Sequence, residues 1–114
     1  MTTLNLLVLA CSDIEATRAF YECAGLSAKQ EQHGRGPVHY AIDAGQTLLE
    51  LYPATSPLTD TTTRLGLQVT DMADTLARLE KAGYLSDRTP SRGDGGRVIV
   101  TDPDGRTVYL TSSE

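Results

Sequence analysis

Residues 6–25 read LLVLACSDIEATRAFYECAG, and residues 64–83 read RLGLQVTDMADTLARLEKAG. The second stretch repeats the first after 58 positions, with identical residues at eight of the nineteen positions from 7 to 25. Repetition on this scale indicates that the chain holds two copies of one structural unit. Both halves are therefore interpreted through the same pattern of elements.

Each copy predicts one strand, one helix and then three further strands. Apolar residues at period two predict the strands, and apolar residues at helical spacing predict the helices. The predicted strands cover residues 4–11, 27–31, 38–43, 46–52, 64–69, 84–88, 97–101 and 107–111, the predicted helices cover residues 13–24 and 71–82, and the glycine-rich residues 91–96 are predicted as a turn. We expect one domain over residues 1–114, with module one at 1–53, a linker at 54–62 and module two at 63–114.

The ends of both predicted helices carry sequence signals. Ser12 and Glu15 have the spacing of a capping box at the start of the first helix, and Thr70 stands in the capping place of the second. Gly25 and Gly83 follow the helices, where a residue in the left-handed conformation commonly ends a helix. The two helices should therefore match in length.

Composition favours a soluble cytoplasmic protein. Fifteen acidic and ten basic residues give a net charge of −5, which disfavours binding to nucleic acid. No apolar run approaches the roughly 20 residues of a membrane span, and the N-terminus has no leader pattern. We expect Cys11 and Cys23 to stay unpaired in a reducing compartment.

Several motifs together resemble one known family. They are the strand–helix segment of residues 6–21 with its Phe20–Tyr21 pair, LLEL at 48–51, the second strand–helix ending in AG at 82–83, and DPDG at 102–105. Their order resembles the vicinal oxygen chelate superfamily of glyoxalases, bleomycin resistance proteins and dioxygenases. The resemblance implies an α+β fold, in which two βαβββ modules form curved mixed sheets around a concave pocket, with the helices on the outer face.

In metal-dependent members of that superfamily, a histidine from each first strand and a glutamate from each last strand meet in the pocket. Position by position, this chain has Leu6 and Arg64 for the histidines, and Glu50 and Tyr109 for the glutamates. One carboxylate cannot hold a divalent ion tightly, since such ions need several converging donors. We therefore predict no metal and no cofactor. We also predict a Glu50–Arg64 ion pair inside the pocket.

Strand alternation predicts which side chains face the pocket. The predicted ligand-binding residues are Glu50, Arg64, Tyr109, Gln68, Tyr52, Leu6, Val8 and His39. The direction of His39 stays open, because Tyr40 and Ile42 read as the core pair and leave His39 towards the pocket or towards solvent. His33 lies between glycine-rich turn residues and reads as a solvated loop residue. Two interpretations of the Glu50–Arg64 pair stay open. Either the two charges only neutralise each other, or the pair binds a charged group of the ligand.

The resemblance implies small-molecule binding without catalysis, of the bleomycin-resistance type, by a homodimer. One alternative is a glyoxalase-type lyase, isomerase or dioxygenase that uses a divalent metal to polarise vicinal oxygens. A second alternative is a regulatory or interaction module. The sequence identifies no nucleophile with a base partner and no catalytic residue.

Overall fold

The computed structural model of the protein describes residues 1–57, 61–85, 91–92 and 97–113. Along the chain these ranges contain β1 (Leu6–Cys11), α1 (Ile14–Cys23), β2 (Ala28–Glu31), β3 (His39–Ala44), β4 (Thr47–Pro53), β5 (Arg64–Val69), α2 (Met72–Lys81), β6 (Ser91–Arg92), β7 (Val98–Thr101) and β8 (Thr107–Ser112). The described helices have ten residues each, and neither is long and apolar enough to cross a membrane. The predicted pattern of two βαβββ units is confirmed.

The two modules build their sheets in the same way. The first sheet has the order β1-β4-β3-β2, and the second has the order β5-β8-β7-β6. In both, the first strand pairs in parallel with the last strand, and the remaining pairs are antiparallel. Each module thus places its first and last strands side by side, which brings the predicted pocket positions of those two strands next to each other.

Both helices begin one residue later than predicted, and each cap also lies one residue later, so the assignments to Ser12 and Thr70 are wrong. Asp13 caps α1, and its carboxylate accepts from the backbone N–H groups of Glu15 and Ala16. Asp71 caps α2 in the same extended conformation and accepts from Asp74 N–H. The physical reason is that an aspartate next to a serine or threonine competes for the same cap, and its charge also favours the helix N-terminus.

The prediction for the first strand after α2 is also wrong. Tyr84 and Leu85 lie in the turn that follows the helix, and residues 86–88 of the predicted strand lie outside the described residues. The strand that pairs with β7 is Ser91–Arg92, inside the run for which the sequence predicts a turn. Tyr84 instead places its ring edge-on to Phe20, with the centroids 5.2 Å apart. Packing against an aromatic core residue outweighed the local strand preference.

Strand alternation divides the apolar residues as predicted. Side chains directed at the helices are buried, including Leu9, Leu51 and Leu110, and each such burial stabilises the fold by about 1.5–3 kcal/mol. Those on the other face of the first sheet stay open, with Leu6 46% and Val8 48% exposed. The main core therefore lies between the sheets and the helices, and the concave faces remain accessible.

A buried polar cluster joins the β7–β8 turn of module two to the start of module one. The Asp102 carboxylate accepts from the Tyr21 hydroxyl at 2.9 Å and from Arg106 Nη1 at 3.2 Å. Arg106 Nη2 donates to the Ala10 carbonyl, and the Ser12 backbone N–H donates to the Asp104 carboxylate. The sequence indicated only a good hairpin turn here. The contacts that hold the modules together were not foreseen.

The surroundings of this cluster raise the pKa values of two neighbouring groups. Burial raises the pKa of the Tyr21 hydroxyl, and the negative charge of Asp102 raises it further. Burial also raises the pKa of the Cys11 thiol. Cys11 and Cys23 are both free thiols. The cluster therefore favours the neutral forms of Tyr21 and Cys11.

Candidate functional site

The concave face of the first sheet combines exposed apolar side chains with polar ones. Leu6 and Val8 on β1 lie beside Leu48 and Glu50 on β4, in parallel register. Leu48 is 39% exposed, and the Glu50 side chain keeps 15% of its surface accessible. The predicted pocket residues of module one thus lie on one face, where exposed apolar side chains lie beside the Glu50 carboxylate.

The predicted ion pair between Glu50 and Arg64 is wrong. Both residues are described, and each contacts a neighbour within its own sheet. The Glu50 carboxylate lies 3.9 Å from His39 Nε2, whereas Arg64 Nη1 donates to the Tyr109 hydroxyl at 3.1 Å. The reason is topological, because Glu50 belongs to the first sheet and Arg64 to the second.

His39 lies on the concave face, which settles the direction that the sequence left open. Its ring is 1% exposed and stacks on Tyr52, with centroids 4.2 Å apart and planes 9° from parallel. Nδ1 lies 3.2 Å from the Pro37 carbonyl, which can only accept, so Nδ1 carries a proton. Nε2 then faces two carboxylates, those of Glu31 at 3.4 Å and Glu50 at 3.9 Å.

His33 also reaches this cluster, although the sequence indicated a solvated loop residue. Its side chain is 73% exposed, yet Nε2 lies 3.7 Å from Glu31 Oε1. One donor atom from each of Glu31, His33 and His39 lies within 4.8 Å of the others. The sequence signal was a Glu-x-His pair followed by a histidine across a hairpin, in which β2 and β3 pair Glu31 with His39.

The concave face of module two carries positive charge around an aromatic ring. The Arg97 guanidinium carbon lies 4.5 Å from the centroid of the Tyr109 ring, and Arg64 holds the hydroxyl of the same residue. Such cation–π contacts contribute about 0.5–1 kcal/mol at exposed sites. Gln68 is exposed on the same side of β5 as Arg64. This face therefore suits anionic or planar groups.

A groove of about 780 Å³ runs beside β5, between the two modules. Its walls include the ends of β1 and β4, the strand β5 and Arg78 of α2. Of the eight predicted pocket residues, all of them described, only Arg64 and Gln68 line it. The volume lies within the roughly 300–1,000 Å³ of small-molecule sites. The groove therefore occupies a different place from the concave faces, and the two adjoin at Arg64 and Gln68.

Comparison with known proteins identifies the family. The family model of the Glyoxalase/Bleomycin resistance protein/Dioxygenase superfamily matches residues 3–110. The chain belongs to this superfamily. None of the curated proteins matches it.

Several solved structures of the superfamily's fold resemble the chain at low identity. TnmS3, an antibiotic binding protein from Streptomyces sp. CB03234, has a TM-score of 0.75 and 24% identity, covering 100% of this chain and 98% of that one. A bleomycin-binding protein complexed with bleomycin has a TM-score of 0.64 and 21% identity, with 100% of both chains covered. Lactoylglutathione lyase from Agrobacterium tumefaciens has a TM-score of 0.66 and 19% identity, covering 99% and 95%. These likenesses show the fold.

The four positions expected to hold a metal in this superfamily do not fit one here. Leu6 has no donor atom, and Arg64 places a permanent positive charge there and donates to the Tyr109 hydroxyl. Glu50 is the remaining carboxylate, and it lies 3.9 Å from His39 Nε2. No chemical step through a metal at these four positions is supported by their side chains.

Proposed function

We propose that the protein binds a small organic molecule on its concave faces and sequesters it, without a metal at the four superfamily positions. The observation that carries this proposal is the open apolar face formed by Leu6, Val8 and Leu48, which lies beside Glu50. Apolar surfaces with a few fixed polar groups are typical of ligand sites. The antibiotic-binding and bleomycin-binding proteins of the same fold support this class of function.

The two concave faces differ in charge, and this difference defines the ligand class. Module one presents Glu31 and Glu50, whereas module two presents Arg64 and Arg97 around Tyr109. A ligand with a cationic group at one end and an aromatic or anionic group at the other would contact both. Since the groove beside β5 reaches Arg64 and Gln68, these two residues are shared by both parts of the proposed site.

We further propose a homodimer in which the acidic face of one protomer lies opposite the basic face of its partner. The exposed apolar side chains on the face of module one support this arrangement, because contiguous apolar surface of this kind commonly marks an interface or a binding cleft. Dimerisation would enclose the ligand between subunits. The proposed function itself requires only that the concave face binds.

The test is a thermal-shift screen followed by calorimetry, with antibiotics including bleomycin and charged aromatic metabolites as probes in buffer with EDTA. A ligand that binds only the folded state raises the melting temperature by mass action. Arg64→Gln and Glu50→Gln should each weaken binding of a hit by about ten- to a hundredfold, as expected for loss of a charged hydrogen-bonding group worth about 1.5–3 kcal/mol.

The matched control is Arg18→Gln on α1, where Arg18 lies over the Tyr40 ring and, in the described ion pairs, pairs only with glutamates of its own helix. This variant should bind as the wild type does. Equal affinity of all three variants would refute the placement of the site. A persistent dimer that no probe stabilises would favour the interaction module instead.

A further inference from the structure

We propose that the β2–β3 hairpin holds a Zn²⁺ ion between Glu31, His33 and His39. This site differs from the four superfamily positions, because only Glu50 of those positions lies beside it. The proposal does not rest on small-molecule binding. It concerns an ion that would bind whether or not an organic ligand is present.

The donor atoms already have nearly the required spacing. Zinc bonds of about 2.0–2.2 Å at tetrahedral angles place neighbouring donors roughly 3.3–3.5 Å apart. Glu31 Oε1 lies 3.4 Å from His39 Nε2 and 3.7 Å from His33 Nε2. His33 is largely exposed, so its side chain can close the remaining distance without disturbing the core. Two imidazoles and one carboxylate form a common three-residue zinc set with an open fourth position.

The buried member of the set can present one ring nitrogen to a metal ion. Because Nδ1 of His39 lies at the Pro37 carbonyl, Nε2 is the nitrogen left to bind the ion in the plane of the ring. The Tyr52 hydroxyl lies 3.4 Å from Nε2, but the rings are stacked and nearly parallel, so this contact runs between the ring planes. The in-plane direction stays available for the ion.

The hairpin turn holds His33 in place next to the strands. The Gly36 backbone N–H donates to the His33 carbonyl at 2.9 Å, and the Gln32 side chain donates to the Gly36 carbonyl at 2.9 Å. Gly34 has a φ of 56°, which an L residue adopts only with strain. The turn therefore returns the chain so that His33 and His39 lie 5.1 Å apart between ring centroids.

The carboxylates near His39 Nε2 also favour binding of a cation. Carboxylate oxygens of Glu31 and Glu50 lie 3.4 Å and 3.9 Å from His39 Nε2. Among the ion pairs of the described residues, neither glutamate has a lysine or arginine partner. Acceptors that converge in a partly buried place repel one another unless a proton or a metal ion lies between them. A zinc ion bound here would leave its open position near Glu50, at the edge of the concave face.

The experiment uses the full chain freed of metal with EDTA and then dialysed, titrated with ZnCl₂ by calorimetry against a competing chelator. We expect one Zn²⁺ per chain, and a Co²⁺ spectrum of tetrahedral type without a thiolate charge-transfer band. His33→Ala and Glu31→Gln should each weaken Zn²⁺ binding by at least about tenfold, since loss of outer-shell partners alone has an effect of that size. His33 is exposed, so its replacement leaves the fold intact.

Arg35→Ala is the matched control, because Arg35 lies exposed in the same turn and offers no metal donor. It should bind Zn²⁺ as the wild type does. Absence of stoichiometric Zn²⁺, a preference for Mg²⁺ over Zn²⁺, a thiolate band with Co²⁺, or unchanged affinity in His33→Ala would each overturn the proposal. Since the small-molecule screen is run in EDTA, failure here leaves the proposed function standing, and the reverse also holds.

Discussion

Replacement of Arg106 by methionine tests whether the buried polar cluster holds the two modules together. The Arg106 side chain is 3% exposed and its partner Asp102 is fully buried. Desolvation lowers the pKa of the Arg106 guanidinium, but the hydrogen bond and charge of Asp102 outweigh it, so that the pKa is raised. Methionine keeps most of the volume. It removes the charge, the bond to Asp102 and the bond to the Ala10 carbonyl.

The expected loss of stability is large because the buried carboxylates of Asp102 and Asp104 both lose their cationic partner. Removal of one partner from a buried ion pair costs about 3–5 kcal/mol, since the other charge remains buried without compensation. Asp102 retains the Tyr21 hydroxyl and the backbone N–H groups of Asp104 and Arg106, which favours the lower end of that range. At a total stability of about 5–15 kcal/mol, the variant should remain folded but melt roughly 10–20 °C lower.

Urea unfolding followed by circular dichroism measures this effect, at equal protein concentration so that association does not contribute. The control is Arg18→Met, which breaks pairs on the surface of α1 and should cost about 0–1 kcal/mol. Asp102→Asn combined with Arg106→Met should cost less than the sum of the two single changes. A cost for Arg106→Met equal to that of the control, or strict additivity in the double variant, would refute a coupled buried cluster.

Two further predictions concern a helix cap and alkaline pH. Asp13→Ala should lower the free energy of unfolding by about 1 kcal/mol, whereas Ser12→Ala should leave it nearly unchanged, because Asp13 is the observed cap; chemical denaturation of both variants checks this. The pKa values of Cys11 and Tyr21 are raised in the folded protein. The neutral forms of these groups therefore contribute fully to the free energy of unfolding below the unfolded pKa values of about 8.5 and 10. That contribution is lost as the pH rises through the folded pKa values. Denaturation between pH 8 and 11 should therefore show falling stability, with a later onset in Cys11→Ala; a flat profile in the wild type would contradict the assignment.

For both helices, the local sequence predicts correctly that a side chain caps the N-terminus, but it predicts the wrong residue. Ser12 and Thr70 are good capping residues, but an aspartate follows each of them. Which of two adjacent side chains caps depends on the backbone angles where the strand ends, and Asp13 and Asp71 take the extended conformation. A shift of one residue is the usual uncertainty of helix ends. The positions of Gly25 and Gly83 were correct, because a positive φ strongly favours glycine.

The candidate site could be predicted only to the level of a face. Alternation placed Leu6, Val8 and Glu50 on the concave side, because the side chains of a strand point alternately to its two faces. Alternation does not predict the partner of Glu50, because residues on the concave faces of the two modules belong to different sheets and need not be in contact. His39 lies beside Glu50 because β3 pairs with β4, with Ala41 opposite Glu50.

The sequence by itself determined the duplicated fold, since repeats, strand alternation and turn glycines are local signals that every copy carries. Only the tertiary structure decided which charged groups meet. Glu31, His33 and His39 converge through hairpin register, and Tyr21 reaches Asp102 across 81 positions of the chain. The physical reason is that such contacts depend on how whole elements pack and on which groups lose water together. No local pattern of residues encodes that packing.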